Sequence, residues 1–241
     1  MLLRSDGRAV AFGENYNGQC DVPEPVEGIF YTQVAAGNGH TVLLQSDGCA
    51  VAFGDNEGDP FDIPEPEAGT CYIQVSALDE TALLRSDGCA VVHQDVVRHG
   101  HRRTLPGSKY CVLEPDRGIT YSQISAGCHH VVLLQSDGRV VALGGGSPCD
   151  LPELEAGVVY TEVSAGQCHT VLLRSDGRVA AVGFNTYDEL RITNGVRCGW
   201  QTIAPPQMML QLSAEGIQSA AANRRILACH SVSLRRALKV L

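Results

Sequence analysis

The tripeptide Ser-Asp-Gly occurs five times, at Ser5–Gly7, Ser46–Gly48, Ser86–Gly88, Ser136–Gly138 and Ser175–Gly177, each time between two apolar runs. Asp-Gly supplies the positive φ that a tight hairpin turn needs, so every copy predicts a β-hairpin. Successive glycines of the tripeptide lie 41, 40, 50 and 39 residues apart. A fixed period of that size specifies an array or a propeller, in which each unit buries its faces only against its neighbours.

One full unit runs from Tyr31 to about Pro64. It holds a short strand, Tyr31–Ala35, a turn at Ala36–His40, and two strands flanking Ser46–Gly48, which makes three strands. The apolar positions Val42, Leu43, Leu44, Val51 and Phe53 show no clean alternation, as in a sheet covered on both faces. A connector then follows, Asp62–Pro66, with counterparts at Asp21–Pro25 and Asp150–Leu154. Proline cannot join a central ladder, so the connector must run outside the sheet or at its edge, crossing from one unit to the next.

Further units open at Tyr72, Tyr121 and Tyr160. The copy at Ser76–Thr81 is one residue short and lacks the glycine and histidine found at Gly37 and His40, so it reads as a weak blade between two good neighbours. Trp200–Ala204 echoes Tyr31–Ala35 and would open a unit whose other two strands are supplied by Leu2–Gly13. The expected fold is therefore all-β: a β-propeller of about five three-stranded blades over residues 1–204, four continuous and one composite, or a part of a larger propeller. Residues 205–241 abandon the repeat and are expected to form a basic tail, helical or disordered.

The net charge is −9, unevenly spread. From Trp200 onward there are five basic residues and one acid, so the first 199 residues carry −13. An acidic body repels phosphate backbones, which argues against nucleic acid as a ligand of the repeats. No segment has the unbroken apolar length of a membrane helix, and the N-terminus reads as half a repeat hairpin rather than a signal peptide, so a cytoplasmic or nuclear location without membrane contact is expected. The ten cysteines follow the repeat, as Cys49 and Cys89 do after the turn glycine, and no CxxC occurs; free thiols are the reading.

Candidate chemistry reduces largely to scaffold. Asp6, Asp47, Asp87, Asp137 and Asp176 recur because the turn recurs, and acid–base catalysis needs two differentiated carboxylates in one pocket. His40, His130 and His169 hold equivalent positions, one per blade, and are read as structural histidines bonding backbone at a turn; Cys128, Cys168, His99, His101 and Cys111 fit no closed zinc set. Gly144–Gly146 opens no helix and is no phosphate loop. No catalytic, cofactor or metal set emerges, so a non-enzymatic protein without cofactor is expected.

What stands out of step with the repeat is a basic insert between Gly88 and Tyr121, with Arg98, His101, Arg102, Arg103 and Lys109, and the variable loops carrying Glu14, Asn15, Tyr16, Asp55 and Asn56. These are the candidate partner-binding residues. The connector acids Asp21, Glu24, Glu27, Asp62, Glu65, Glu67, Asp150, Glu153 and Glu155 recur at matching points; they read as a solvated rim or as a docking ring for a basic segment of a protein partner.

The string Gly37-x-x-His40-Thr41-x-Leu43-Leu44-x-Ser46-Asp47-Gly48, continued to Gly54 and joined to Gly13–Cys20, resembles the repeat of the regulator of chromosome condensation family. The resemblance covers residues 1 to about 190 and implies a β-propeller, in its short three-stranded version. It implies several functions: guanine-nucleotide exchange on a small GTPase, an accessory module of HECT-type ubiquitin ligases, or UV-B reception. The last relies on a tryptophan cluster, and this chain has only Trp200; no HECT domain fits into the 37 residues after Ala204. The favoured expectation is a non-catalytic protein-interaction scaffold, with a GTPase regulator or a detached ligase module as alternatives.

Overall fold

In a computed structural model, residues 1–55, 63–93, 102–105, 108–145 and 147–184 are described. Trp200–Ala204, the tail, and the candidates Asn56, Arg98 and His101 lie outside these residues.

Five antiparallel sheets succeed one another along the chain. A hairpin of β1 (Leu2–Leu3) and β2 (Ala9–Val10) comes first. A three-stranded blade follows, made of β3 (Tyr31–Ala36), β4 (His40–Gln45) and β5 (Ala50–Gly54). The next holds β6 (Tyr72–Ala77), β7 (Thr81–Arg85) and β8 (Ala90–His93), joined by β9 (Arg102–Thr104) and β10 (Tyr110–Leu113) in the order β6-β7-β8-β10-β9. Two more blades of three strands are β11 (Tyr121–Ala126), β12 (His130–Gln135), β13 (Val140–Gly144) and β14 (Tyr160–Ala165), β15 (His169–Arg174), β16 (Val179–Gly183). They are the blades of a β-propeller. The second full blade keeps its three repeat strands and the insert extends the sheet by two more: β10 pairs with β8 along Tyr110↔His93 to Leu113↔Ala90, and β9 adds outside it.

Each residue of the Ser-Asp-Gly turn has its own task. The loop closes by Gly48 N–H to Gln45 O and Gln45 N–H to Cys49 O, a three-residue turn whose glycine alone needs positive φ, between 77° and 84° in all five copies. The aspartate accepts the amide two residues on, Cys49 N–H at 2.9 Å in this copy. The serine Oγ accepts the amide of the residue before the blade's first strand, as Ser46 does from Phe30 and Ser136 from Thr120.

The core lies between blades. Val42 and Leu44 on the middle strand β4 pack with Tyr72, Val75, Leu83 and Val91 of the next blade. Its neighbours on β7, Ala82 and Leu84, turn the other way and pack with Tyr121, Ile124, Val131 and Leu133. Val132 and Leu134 then pack with Tyr160, Val163 and Leu172. Successive side chains of a strand point to opposite faces, and here both faces are inter-blade cores, which is why apolar alternation is absent from the sequence.

Candidate partner-binding surface

Each first strand lies innermost in its blade and carries a bulge after its opening tyrosine, at Tyr31/Gln33, Tyr72/Gln74, Tyr121/Gln123 and Tyr160/Glu162. A bulge re-aims the residue that follows it. It turns the glutamine amide toward the neighbouring blade: Gln74 Oε1 accepts Ile124 N–H while its Nε2 donates to Ile124 O, both at 3.0 Å. Gln123 does the same to Val163, at 3.0 and 3.1 Å, and Gln33 Oε1 accepts Val75 N–H. Together with Ile73, Ser122, Thr161 and Glu162 these glutamines line a cleft of about 510 Å³ bordered by four blades.

Histidines reach across blades too, to a side-chain hydroxyl, and His130 also bonds the backbone of His169 at the turn of the next blade, in line with the turn-backbone role the sequence suggested. His40 Nε2 lies 2.8 Å from Thr81 Oγ1, and His130 Nε2 3.1 Å from Thr170 Oγ1. Thr170 spends its proton on Pro148 O, so the His130 Nε2–H must be the donor there. Burial, with the neighbouring His169 acting in the same direction, pushes His130 down to about 4; burial likewise lowers His40. The second full blade lacks the histidine, and its neighbour has Val131 where Thr81 and Thr170 stand, so donor and acceptor are replaced together at that junction.

That blade is rewired rather than weak. Asp79, in the shortened turn, accepts from the Asn38 amide of the preceding blade and hydrogen-bonds the Cys128 thiol of the following one. Burial and the Asp79 carboxylate push Cys128 up to about 12, so it stays a thiol at neutral pH and a poor metal ligand. Among the described residues no group of three or more metal-ligating side chains converges, and eight cysteines are free thiols.

The loop candidates gather at one place. Asn15 Oδ1 accepts Cys20 N–H at 2.7 Å and its Nδ2 donates to Asp21 at 2.8 Å, so this side chain folds the loop on itself. The Asn17 side chain donates to Asp55 at 3.2 Å, joining the loop of Glu14 and Asn15 to the exit of β5. Tyr16, between the two asparagines, is 91% exposed. The insert candidates lie elsewhere: Arg102 and Arg103 belong to β9, outermost on the second full blade, and Lys109 is exposed just before β10. Asp62 lies outside the described residues; the other connector acids are exposed, with Glu67 and Glu155 beside Arg85 and Arg174 of their own blades.

Sequence reasoning missed the glutamine row and an apolar surface on the first hairpin and its connector, where Leu2, Phe12, Val26 and Phe30 are all at least half exposed. The glutamines had a signal: an amide kept at the same place inside an apolar strand in three units. Among the described residues no helix is long and apolar enough to cross a membrane.

Residues 31–58 and 160–189 match the family model described as the regulator of chromosome condensation (RCC1) repeat, so the chain carries repeats of that type. No curated protein matches the sequence. Among solved structures, human WBSCR16 is similar with a TM-score of 0.59 and 19% identity, over 80% of this chain and 62% of that one. The CRINKLY ectodomain of the Arabidopsis thaliana receptor kinase ACR4 gives 0.54 and 19%, over 76% and 63%. Yeast RCC1 (Prp20), bound to Kap60, gives 0.52 and 16%, over 68% and 46%. The chain spans less than two thirds of the length of each.

Proposed function

We propose that this chain, built on RCC1-type repeats, is a non-catalytic module that binds a protein partner through its blade loops and the insert of its second full blade. The observation that carries the reading is Tyr16, an almost wholly exposed aromatic on a loop already ordered by Asn15 and Asn17. An exposed tyrosine on a pre-ordered loop can bury a large amphipathic surface without a further ordering cost, which is how interface anchors gain their energy. The acidic body favours a partner with a basic segment. Yeast RCC1, of the same fold, has been solved with a protein bound, which supports a protein as the ligand class.

The test is quantitative co-purification with the intact chain, with Tyr16→Ala, and with residues 94–109 removed. A partner bound at this surface falls at least about tenfold with Tyr16→Ala, at an unchanged melting temperature. Identical partner sets from the intact chain and both variants overturn the reading.

A further inference from the structure

Neighbouring full blades meet at both ends of their first strands. At one end the opening tyrosine donates its amide to the turn glycine carbonyl of the blade before, Tyr72 to Gly48 and Tyr121 to Gly88 at 2.8 Å and Tyr160 to Gly138 at 2.9 Å. At the other end the turn between first and second strands meets its counterpart in the next blade. Asn38 N–H donates to Leu78 O at 3.0 Å, and the Asn38 side chain reaches Asp79, the residue after that carbonyl.

The same arrangement recurs between the third and fourth full blades with different side chains. Cys128 follows Gly127 as Asn38 follows Gly37, and its N–H donates to Gln167 O at 3.2 Å. The residue after that carbonyl is Cys168. Covalent geometry across such a bond sets the two α-carbons about 4–7 Å apart, the span a disulfide bridges. Cys168 is also among the groups that push the Cys128 thiol up, after burial and Asp79. Both cysteines are half-buried free thiols. Asn38, Asp79, Cys128 and Cys168 thus form a line from blade to blade whose last link joins two thiols.

We propose that Cys128 and Cys168 are an oxidisable pair that closes to a disulfide and ties the third full blade to the fourth. The oxidant is a low-molecular-weight disulfide of the glutathione type. In the reduced protein the two blades are held by packing and by hydrogen bonds, among them Cys128 N–H to Gln167 O and His130 to Thr170. In the oxidised protein the junction is covalent.

The two thiols take different parts. Cys128 is held as a thiol by burial and by Asp79, so it is a poor first nucleophile. Cys168 therefore begins: its sulfur attacks the small disulfide, forms a mixed disulfide, and one small thiol leaves with the proton that Cys168 gave up. The Cys128 sulfur then attacks Cys168 Sγ, its proton passing to the Asp79 carboxylate that it already meets, and the second small thiol leaves. Two protein thiols lose two electrons, and one small disulfide becomes two thiols. Proximity within one folded chain offsets the weak nucleophilicity of Cys128 in this second step.

The test treats the full-length protein with oxidised glutathione, then maps its cysteines by mass spectrometry and follows thermal unfolding. Tryptic peptides 118–139 and 140–174 are expected to be linked within one chain, with fragmentation assigning the bond to Cys168 rather than Cys149. The melting temperature rises by about 5–10 °C and returns on reduction. Cys128→Ser accumulates the glutathione adduct on Cys168 and shows no such rise, and Cys168→Ser leaves Cys128 unmodified. Cys128 and Cys168 both remaining free while the other exposed thiols react overturns the proposal, as does a bond from either to a different cysteine or only between two chains. A linked pair with an unchanged melting temperature overturns the tie between folded blades.

Discussion

The first hairpin and the second full blade carry the same motif in opposite circumstances. Leu2 and Leu3 precede their turn as Leu83 and Leu84 precede theirs, yet the first pair is 62% and 38% exposed and the second 0% and 1%. The second blade has a neighbour on each side and two added strands, from which Tyr110, Cys111, Val112 and Leu113 enter both adjoining cores. The difference teaches that a repeat motif encodes a shape with two apolar faces, while burial is conferred by whatever stands next to it.

The sharpest way to break the comparison is to remove the same atoms in both places. Leu83→Ala is expected to cost about 2–5 kcal/mol, since it opens a cavity in a closed core, and Leu2→Ala at least about 2 kcal/mol less. Urea unfolding midpoints of the two variants test this, and equal losses would show that the hairpin is as well covered as the blade.

Acid comes next in size. The unfolded chain takes up a proton at His130 near the ordinary histidine value of 6.5, whereas in the folded chain burial holds it down to about 4. As pH falls from about 6.5 to 4 the unfolded state is favoured progressively, by about 3 kcal/mol in all, and stability above that window is unaffected by this group. His40, also lowered, adds in the same direction. Thermal melts of the wild type and of Thr170→Val, which removes the His130 partner, check the assignment: the slope with pH should change only in this window. The smallest expected effect is at the inner strands, where Gln123→Leu strands the Val163 amide and carbonyl at a cost of about 1–3 kcal/mol, read from unfolding midpoints.

The repeat, its hairpins and its double-sided sheets were legible because each depends on local chemistry: a glycine with positive φ, a proline outside the ladder, an apolar run with no alternation. The pairing of β10 with β8 was not, because it joins residues across the stretch from His93 to Tyr110, and the insert's Arg and His composition suggested a solvated loop. The turn aspartates were read as turn residues, and each accepts the amide two residues on. Asn15 and Tyr16 were both picked for being out of step; the Asn15 amide holds its own loop, and Tyr16 beside it is 91% exposed. Sequence marks such a loop as variable but does not say which of its side chains are spent on bonds within the loop.

Every bond between blades described above runs from one blade to the next, from turn glycine to tyrosine amide, glutamine to backbone, or histidine to threonine. Under tension applied at the two ends of the blade series, those junctions are loaded in series, and the whole holds only as well as its weakest member. The junction without a His–Thr pair, between the second and third full blades, is reinforced instead by Asp79 with Cys128, by the Ser76 hydroxyl accepting Ala126 N–H, and by the large core that the insert thickens. The added strands therefore act as a splint at the middle of the series, so that pulling separates the blades first toward its ends.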